Sequence, residues 1–254
     1  MALIMVTNDD GISAKGLWLL VEAVQSLGEV AVFAPAQDYS WAGRSHRTDT
    51  VAGETAHKTV LVEETAWRTN VAKPVVCYAV HGSPAISAAV GVSFRRPGLV
   101  VSGINNGYNT GAMLSVSGTV GAALEAASSG IPAVAFSSGR NIRDETAIVA
   151  HVRRIVEAVL AAGFPDEAAV LNVNIPEDAD GTTESVLART CASSSHVQVA
   201  DWKDGCVDLT AVHEPWEGGA RSDRAGLNDG FITYTFLPKQ VGLMSPGLAT
   251  FLAK

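Results

Sequence analysis

The chain has 254 residues, of which 47% are hydrophobic and 17% charged; this excludes a disordered polymer and is enough for one large core. Its 18 basic and 26 acidic residues leave a net charge of −8, which excludes a general binder of nucleic-acid duplexes, because counterion release needs a basic face. Cys77, Cys191 and Cys206 have no C-x-x-C spacing, so they fit a reducing compartment and neither a disulfide framework nor a zinc site.

In chain order, the run Leu3–Thr7 reads as a strand buried on both faces. It lacks a basic leader and a cleavage-type segment, so a signal peptide is not expected. Leu17, Leu20, Val21, Val24 and Leu27 then mark one helix face, closed by Gly28, and Val30–Phe33 is a second strand ending at Ala34-Pro35. Strand, helix and strand with short returns are the unit of a parallel sheet. Residues 50–73 are polar and read as a hairpin. Val75–Val80 is a strand, and Ser83-Pro84 opens a helix through Val92, with Ser as cap and Pro at the first position.

Leu99–Val101 is a strand that leads into the loop Ser102-Gly103-Ile104-Asn105-Asn106-Gly107-Tyr108-Asn109-Thr110-Gly111. A helix over Thr119–Ala127, a strand over Ala133–Phe136, a helix over Asp144–Leu160 and a strand over Val170–Ile175 follow. Residues 177–229 alternate in short runs between turns and read as an antiparallel extension, and Phe231–Leu237 reads as a strand. The expected fold is α/β, a three-layer sandwich around a mostly parallel Rossmann-like sheet with a C-terminal β extension. Residues 1–176 are expected to form the Rossmann-like core, which would carry any catalytic site, and residues 177–254 the returning extension. No apolar stretch approaches the roughly 18–20 residues that span a bilayer, so a cytoplasmic protein without a membrane partner is expected.

The sharpest chemical feature is Thr7-Asn8-Asp9-Asp10-Gly11, directly after the first strand. Ligands of open parallel sheets gather beyond the carboxyl ends of strands. Successive strand residues face opposite ways, so Asp9 and Asp10 serve one site only if the chain turns, which Gly11 permits. Two adjacent carboxylates repel unless one is protonated or a cation lies between them, and hard oxygens favour Mg2+, Mn2+ or Ca2+. A plain helix cap or turn explains the same residues, and the spacing leaves both readings open.

Ser117-Gly118-Thr119 precedes an apolar helix and would offer free backbone N–H groups to an anion, although Ser and Thr are also ordinary caps. A dinucleotide fingerprint is missing: two acids stand where pyrophosphate would lie. Walker A and G-x-S-x-G motifs are missing too. Histidines do not cluster; His46 and His81 follow strands closely enough to border a site. Trp41 follows Ser40 on the same strand-end loop.

Together these segments resemble the SurE family of metal-dependent nucleotidases and phosphatases. The matching residues are I-M-V-T-N-D-D-G-I at Ile4–Ile12, A-P-A-Q-D-Y-S at Ala34–Ser40 and G-S-P-A at Gly82–Ala85. They continue with V-S-G-I-N-N-G-Y-N-T-G at Val101–Gly111, S-G-T-V at Ser117–Val120, L-N-V-N-I-P at Leu171–Pro176 and D-G-F-I-T at Asp229–Thr233. The resemblance implies one Mg2+ or Mn2+ per subunit held by Asp9, Asp10, Ser40 and Asn105. It implies phosphate contacts from Asn109, Ser117, Gly118 and Thr119, and catalytic roles for Asp9, Asp10 and the neighbouring Asn8. The implied activity is hydrolysis of nucleoside 5′-monophosphates by metal-activated water, in a homodimer or homotetramer whose tail over residues 241–254 takes part. The alternatives are a phosphatase for a non-nucleotide ester and a non-catalytic nucleotide- or phosphate-binding protein. Ile86, Met113 and Val116 depart from the family pattern, which bears on substrate preference and subunit contacts.

Overall fold

The computed structural model describes residues 2–48, 59–66, 75–165, 168–191, 195–203, 206–213 and 221–238. Strand β1 (Leu3–Thr7) runs parallel between β2 (Glu29–Pro35) and a strand over Leu99–Asn106. After β2 come β3 (Val62–Thr65) and β4 (Val76–Val80), so the Leu99–Asn106 strand is β5, followed by β6 (Ala133–Ser138) and β7 (Ala168–Ile175). The extension adds β8 (Ser185–Leu187), β9 (Ser195–Lys203), β10 (Cys206–His213) and β11 (Ile232–Pro238).

The main sheet has nine strands in the order β3-β4-β2-β1-β5-β6-β7-β11-β8. From β4 to β7 all neighbours are parallel, whereas β3 on β4 and β11 on β7 are antiparallel. From β1 the chain winds outward through β2 to β4, then returns to β5 on the other flank. The switch point of strand order therefore lies between β1 and β5.

Alternation along β1 builds the two apolar layers. Ile4 and Val6 pack with Leu17 and Leu20 of α1 (Lys15–Val24), and with Ile148 and Val152 of a helix over Glu145–Ala162. Met5 faces the other way, with Ala88 of α2 (Pro84–Arg95) and with Val120 and Ala123 of α3 (Gly118–Ser128); the Glu145–Ala162 helix is thus α4. Period-2 side chains on a strand with helices on both faces give the expected three layers. The Ser83 hydroxyl accepts from Ile86 N with Pro84 at the first helical position, and the Asp144 carboxylate accepts from Ala147 N at the start of α4.

The structure differs from the sequence reading in three places. β5 does not stop at Val101 but continues through the Gly/Asn segment to Asn106, with a register shift against β6 between Ser102 and Asn105. Gly103 makes this possible: it sits at φ 132, and a Cβ there would lie 2.3 Å from the Phe136 carbonyl oxygen. In the extension, β9 and β10 form the antiparallel hairpin, but β8 joins the main sheet parallel to β11, and a short helix α5 (Asp223–Asn228) precedes β11. In the first polar stretch, β3 forms an antiparallel arm on β4; residues 50–58 and 67–73 of the expected hairpin lie outside the described residues, as does the tail over 241–254.

Candidate active site

A cleft of about 730 Å³ opens over the carboxyl ends of β1, β5 and β6. It brings Asp9 and Asp10 together with Ser40, from the loop after β2, and Asn105, at the end of β5. Asn109 and Ser117 line the same cleft. Asn8, Gly118 and Thr119 do not; they are buried behind it.

The two aspartates differ in setting. Asp9 is only 3% exposed. The Thr119 hydroxyl donates to its Oδ1 and the Thr119 backbone N–H also bonds its carboxylate, yet burial wins and raises its pKa. The close approach depends on Gly118, where a Cβ would lie 2.6 Å from Asp9 Cβ. The Asp10 carboxyl is pushed up to about 6, first by burial and then by the charge of Asp9, against the pull of the Asn106 backbone N–H. Asp38 adds negative charge near both. Asn8 braces this turn, its Nδ2 donating to Gly11 O at 2.9 Å, while its buried Oδ1 has no partner among the described residues.

The two neutral oxygens are oriented by their own hydrogen bonds. Asn105 Nδ2 donates to Gly107 O at 2.7 Å, which leaves its Oδ1 as an unspent acceptor. Ser40 Oγ donates its proton to Asp38 Oδ1 at 2.7 Å and keeps its lone pairs. Two carboxylates, an amide oxygen and a hydroxyl oxygen on one cleft are a hard-oxygen donor set that fits Mg2+, Mn2+ or Ca2+. Among the described residues no three His, Cys, Asp or Glu converge, so a cation here depends on the neutral oxygens as well.

The opposite side is built of amides. Asn109 N donates to Asn174 Oδ1 at 2.8 Å, and Asn109 O accepts from Asn172 Nδ2 at 2.9 Å and Asn174 Nδ2 at 3.0 Å. Asn109 Nδ2 donates to Ser137 Oγ at 2.8 Å. Asn172 and Asn174 point to one face of β7, as alternate residues must. Ser117 caps α3, accepting from Val120 N at 3.1 Å, and the positive end of that helix faces Asp9.

Other contributors were given no role by the sequence reading. Arg140, Arg224, Tyr108 and Glu177 also line the cleft, and the two guanidinium groups bring positive charge to an acidic site. Buried Asp223 accepts from Gly111 N at 3.3 Å and Cys191 N at 2.9 Å, so it ties the extension to the loop that carries Asn109. His46 and His81 stand outside the cleft lining, paired with Glu125 at 3.0 Å and Glu63 at 2.7 Å.

Fold and site define a doubly wound α/β protein whose strand-end loops converge on an oxygen-lined, acidic cleft at the switch point, with a helix N-terminus and arginines beside it. Its family follows from the sequence comparison. The chain belongs to the SurE family: residues 4–198 match the family described as survival protein SurE. The 5′-nucleotidase SurE of Methanocella arvoryzae is 36% identical over 202 residues, covering 73% of this chain and 71% of that protein. The 5′-nucleotidase SurE of Methanoculleus marisnigri is 38% identical over 197 residues, covering 71% and 70%. The crystal structure of the SurE protein from Aquifex aeolicus superposes with a TM-score of 0.75 at 28% identity, covering 94% of each chain.

Proposed function

We propose that this chain is a divalent-metal-dependent phosphomonoesterase that hydrolyses nucleoside 5′-monophosphates to nucleoside and phosphate. The observation that carries the reading is the pairing of Asp9 and Asp10, both with raised pKa values, with the unspent oxygens of Ser40 and Asn105 at the switch point. Relatives named 5′-nucleotidase support the nucleotide substrate. Asp9, Asp10, Ser40 and Asn105 would hold one Mg2+ or Mn2+ per subunit. A cation there supplies positive charge that neutralises phosphoryl oxygens and acidifies water.

The chain's own residues do the rest. Ser117 and Asn109 meet the phosphate from the cleft wall; Gly118 and Thr119 act from behind, through the N-terminal end of α3 and the hold on Asp9. Arg140 and Arg224 offset the charge that the phosphate brings into an acidic cleft. Asn8 fixes the turn that aims Asp9 and Asp10. No helix among the described residues is long and apolar enough to cross a membrane, which fits a cytoplasmic enzyme; a homodimer or homotetramer that uses residues 241–254 completes the reading.

The test is colorimetric phosphate release from a panel of nucleotides and non-nucleotide esters, with Mg2+, Mn2+ or EDTA. Metal-dependent release, fastest from nucleoside 5′-monophosphates, is expected. Faster release from another ester moves the substrate class, and nucleotide binding without release makes the chain a binding protein.

A further inference from the structure

The cleft has an aromatic wall that the metal and phosphate roles leave unused. Trp41 directly follows Ser40, lines the cleft and is 50% exposed. Its φ is 69, in the left-handed region where bulky side chains are rare. A large indole therefore stands half in solvent, on a backbone that does not favour it, next to a residue of the donor set. Core packing does not account for that placement, because half the surface stays wet.

The loop that presents the ring is tied down on both sides. Tyr39 N donates to Asp9 O at 2.8 Å and Ala42 N to Tyr39 O at 3.1 Å. Gly43 N donates to Val116 O at 2.9 Å, which docks the loop against the turn that carries Met113 and Val116. Both of those residues line the cleft, so apolar surface accompanies the indole. A second ring, Tyr108, lines the cleft from the other flank of β1; its hydroxyl accepts from Glu177 N at 3.0 Å, beyond the end of β7. A smaller cavity of about 320 Å³ on the other side of Asp10 and Asn105, lined by Leu19, Ile104 and Ile142, has no aromatic residue.

We infer that Trp41 is the specificity-determining residue of this site, a stacking surface for the planar base carried by the leaving nucleoside. The inference rests on the phosphomonoesterase reading above and goes beyond it by naming what selects the substrate. A phosphate held at Ser117 and Asn109 leaves the remainder of the ester in a cleft of ligand size, where the indole is the largest rigid apolar face. Stacking tolerates any base because each has a π face, so Trp41 separates esters that carry a base from those that lack one and discriminates little among nucleobases.

The test compares metal-loaded wild type, Trp41→Ala and Trp41→Phe on AMP and ribose 5-phosphate, which share the reacting phosphate and sugar. In Trp41→Ala the ratio of kcat/KM for AMP over ribose 5-phosphate should fall about 5- to 100-fold, mostly through KM, and Trp41→Phe should recover most of it. A ratio within about twofold of wild type in Trp41→Ala overturns the inference, because it puts the base elsewhere. Absence of metal-dependent release from wild type breaks the underlying reading instead. Stacking is then read from AMP quenching of indole fluorescence, which Trp41→Phe should lose and whose persistence in that variant contradicts the inference.

Discussion

The two sides of the cleft solve opposite problems. On the β1 and β5 side, Asp9 and Asp10 are crowded carboxylates with raised pKa values, and the Asn105 and Ser40 oxygens retain unspent lone pairs. On the β6 and β7 side, Asn109, Asn172, Asn174 and Ser137 donate to and accept from one another. The amide side is held by its own hydrogen bonds, whereas the acidic side crowds two carboxylates whose charge a cation would neutralise. Function and stability should therefore separate: substitutions on the acidic side cost activity, and those at Asn172 and Asn174, which hold Asn109 from behind, cost the fold.

The largest effect is expected at Asp9 and Asp10. Asp9→Asn or Asp10→Asn should lower metal-dependent phosphate release on the order of a hundred- to a thousand-fold, the scale on which lost electrostatic stabilisation acts. The metal-free protein should melt no lower than wild type, because each change removes a repelling charge. Differential scanning calorimetry beside the phosphate assay checks both halves, and a large loss of stability would break the contrast.

Asn174→Ala should show the reverse pattern. It removes the acceptor for Asn109 N and one donor to Asn109 O in a fully buried position, and should cost about 1–3 kcal/mol of stability. Urea unfolding measures it. An unchanged midpoint would mean that the amide wall is not a self-supporting unit.

Acidification sharpens the comparison further. The Asp10 carboxyl stands at about 6 in the folded chain against an ordinary 3.8, so the metal-free fold binds this proton more tightly than the unfolded chain. This group's contribution to stability is full below 3.8 and lost as pH rises through about 6. A cation binds the ionised form, so the Tm gain from Mn2+ should be large near about pH 7.5 and shrink near about pH 5. A pH-independent gain would show that Asp10 takes no part.

The smallest effects belong to the neutral oxygens. Ser40→Ala and Asn105→Ala should weaken metal affinity less than either aspartate change, with activity recovering as metal is raised. Failure to recover at saturating metal would assign them a role beyond holding the ion.

How much of this was legible in the sequence depends on how local the signal was. The continuous run Leu3–Thr7 and the turn after it marked β1 and the acidic pair, because a strand buried on both faces followed by Asn-Asp-Asp-Gly is written in adjacent residues. The helix stripes of α1 and α4 were legible for the same reason. β5 was cut short because Gly and Asn are poor strand formers; its continuation depends on the space beside Phe136, which no spacing reports. β8, with three residues, is too short to show alternation. Arg140 and Glu177 reach the cleft from loops and Arg224 from α5, all distant in sequence, so only the folded sheet assembles them. Thr119 was legible as the start of a helix, but that its hydroxyl donates to Asp9 was not.

The central claim is that Asp9 and Asp10 form one cation site that the reaction requires. Calorimetric titration of Mn2+ into wild type and Asp9→Asn, with phosphate release measured on the same samples, tests it most directly. The account predicts one site per subunit in wild type, much weaker binding in Asp9→Asn, and activity that tracks occupancy. Equal Mn2+ affinity in the two proteins, or full wild-type activity in EDTA, would contradict it and leave Asn8-Asp9-Asp10-Gly11 as a turn.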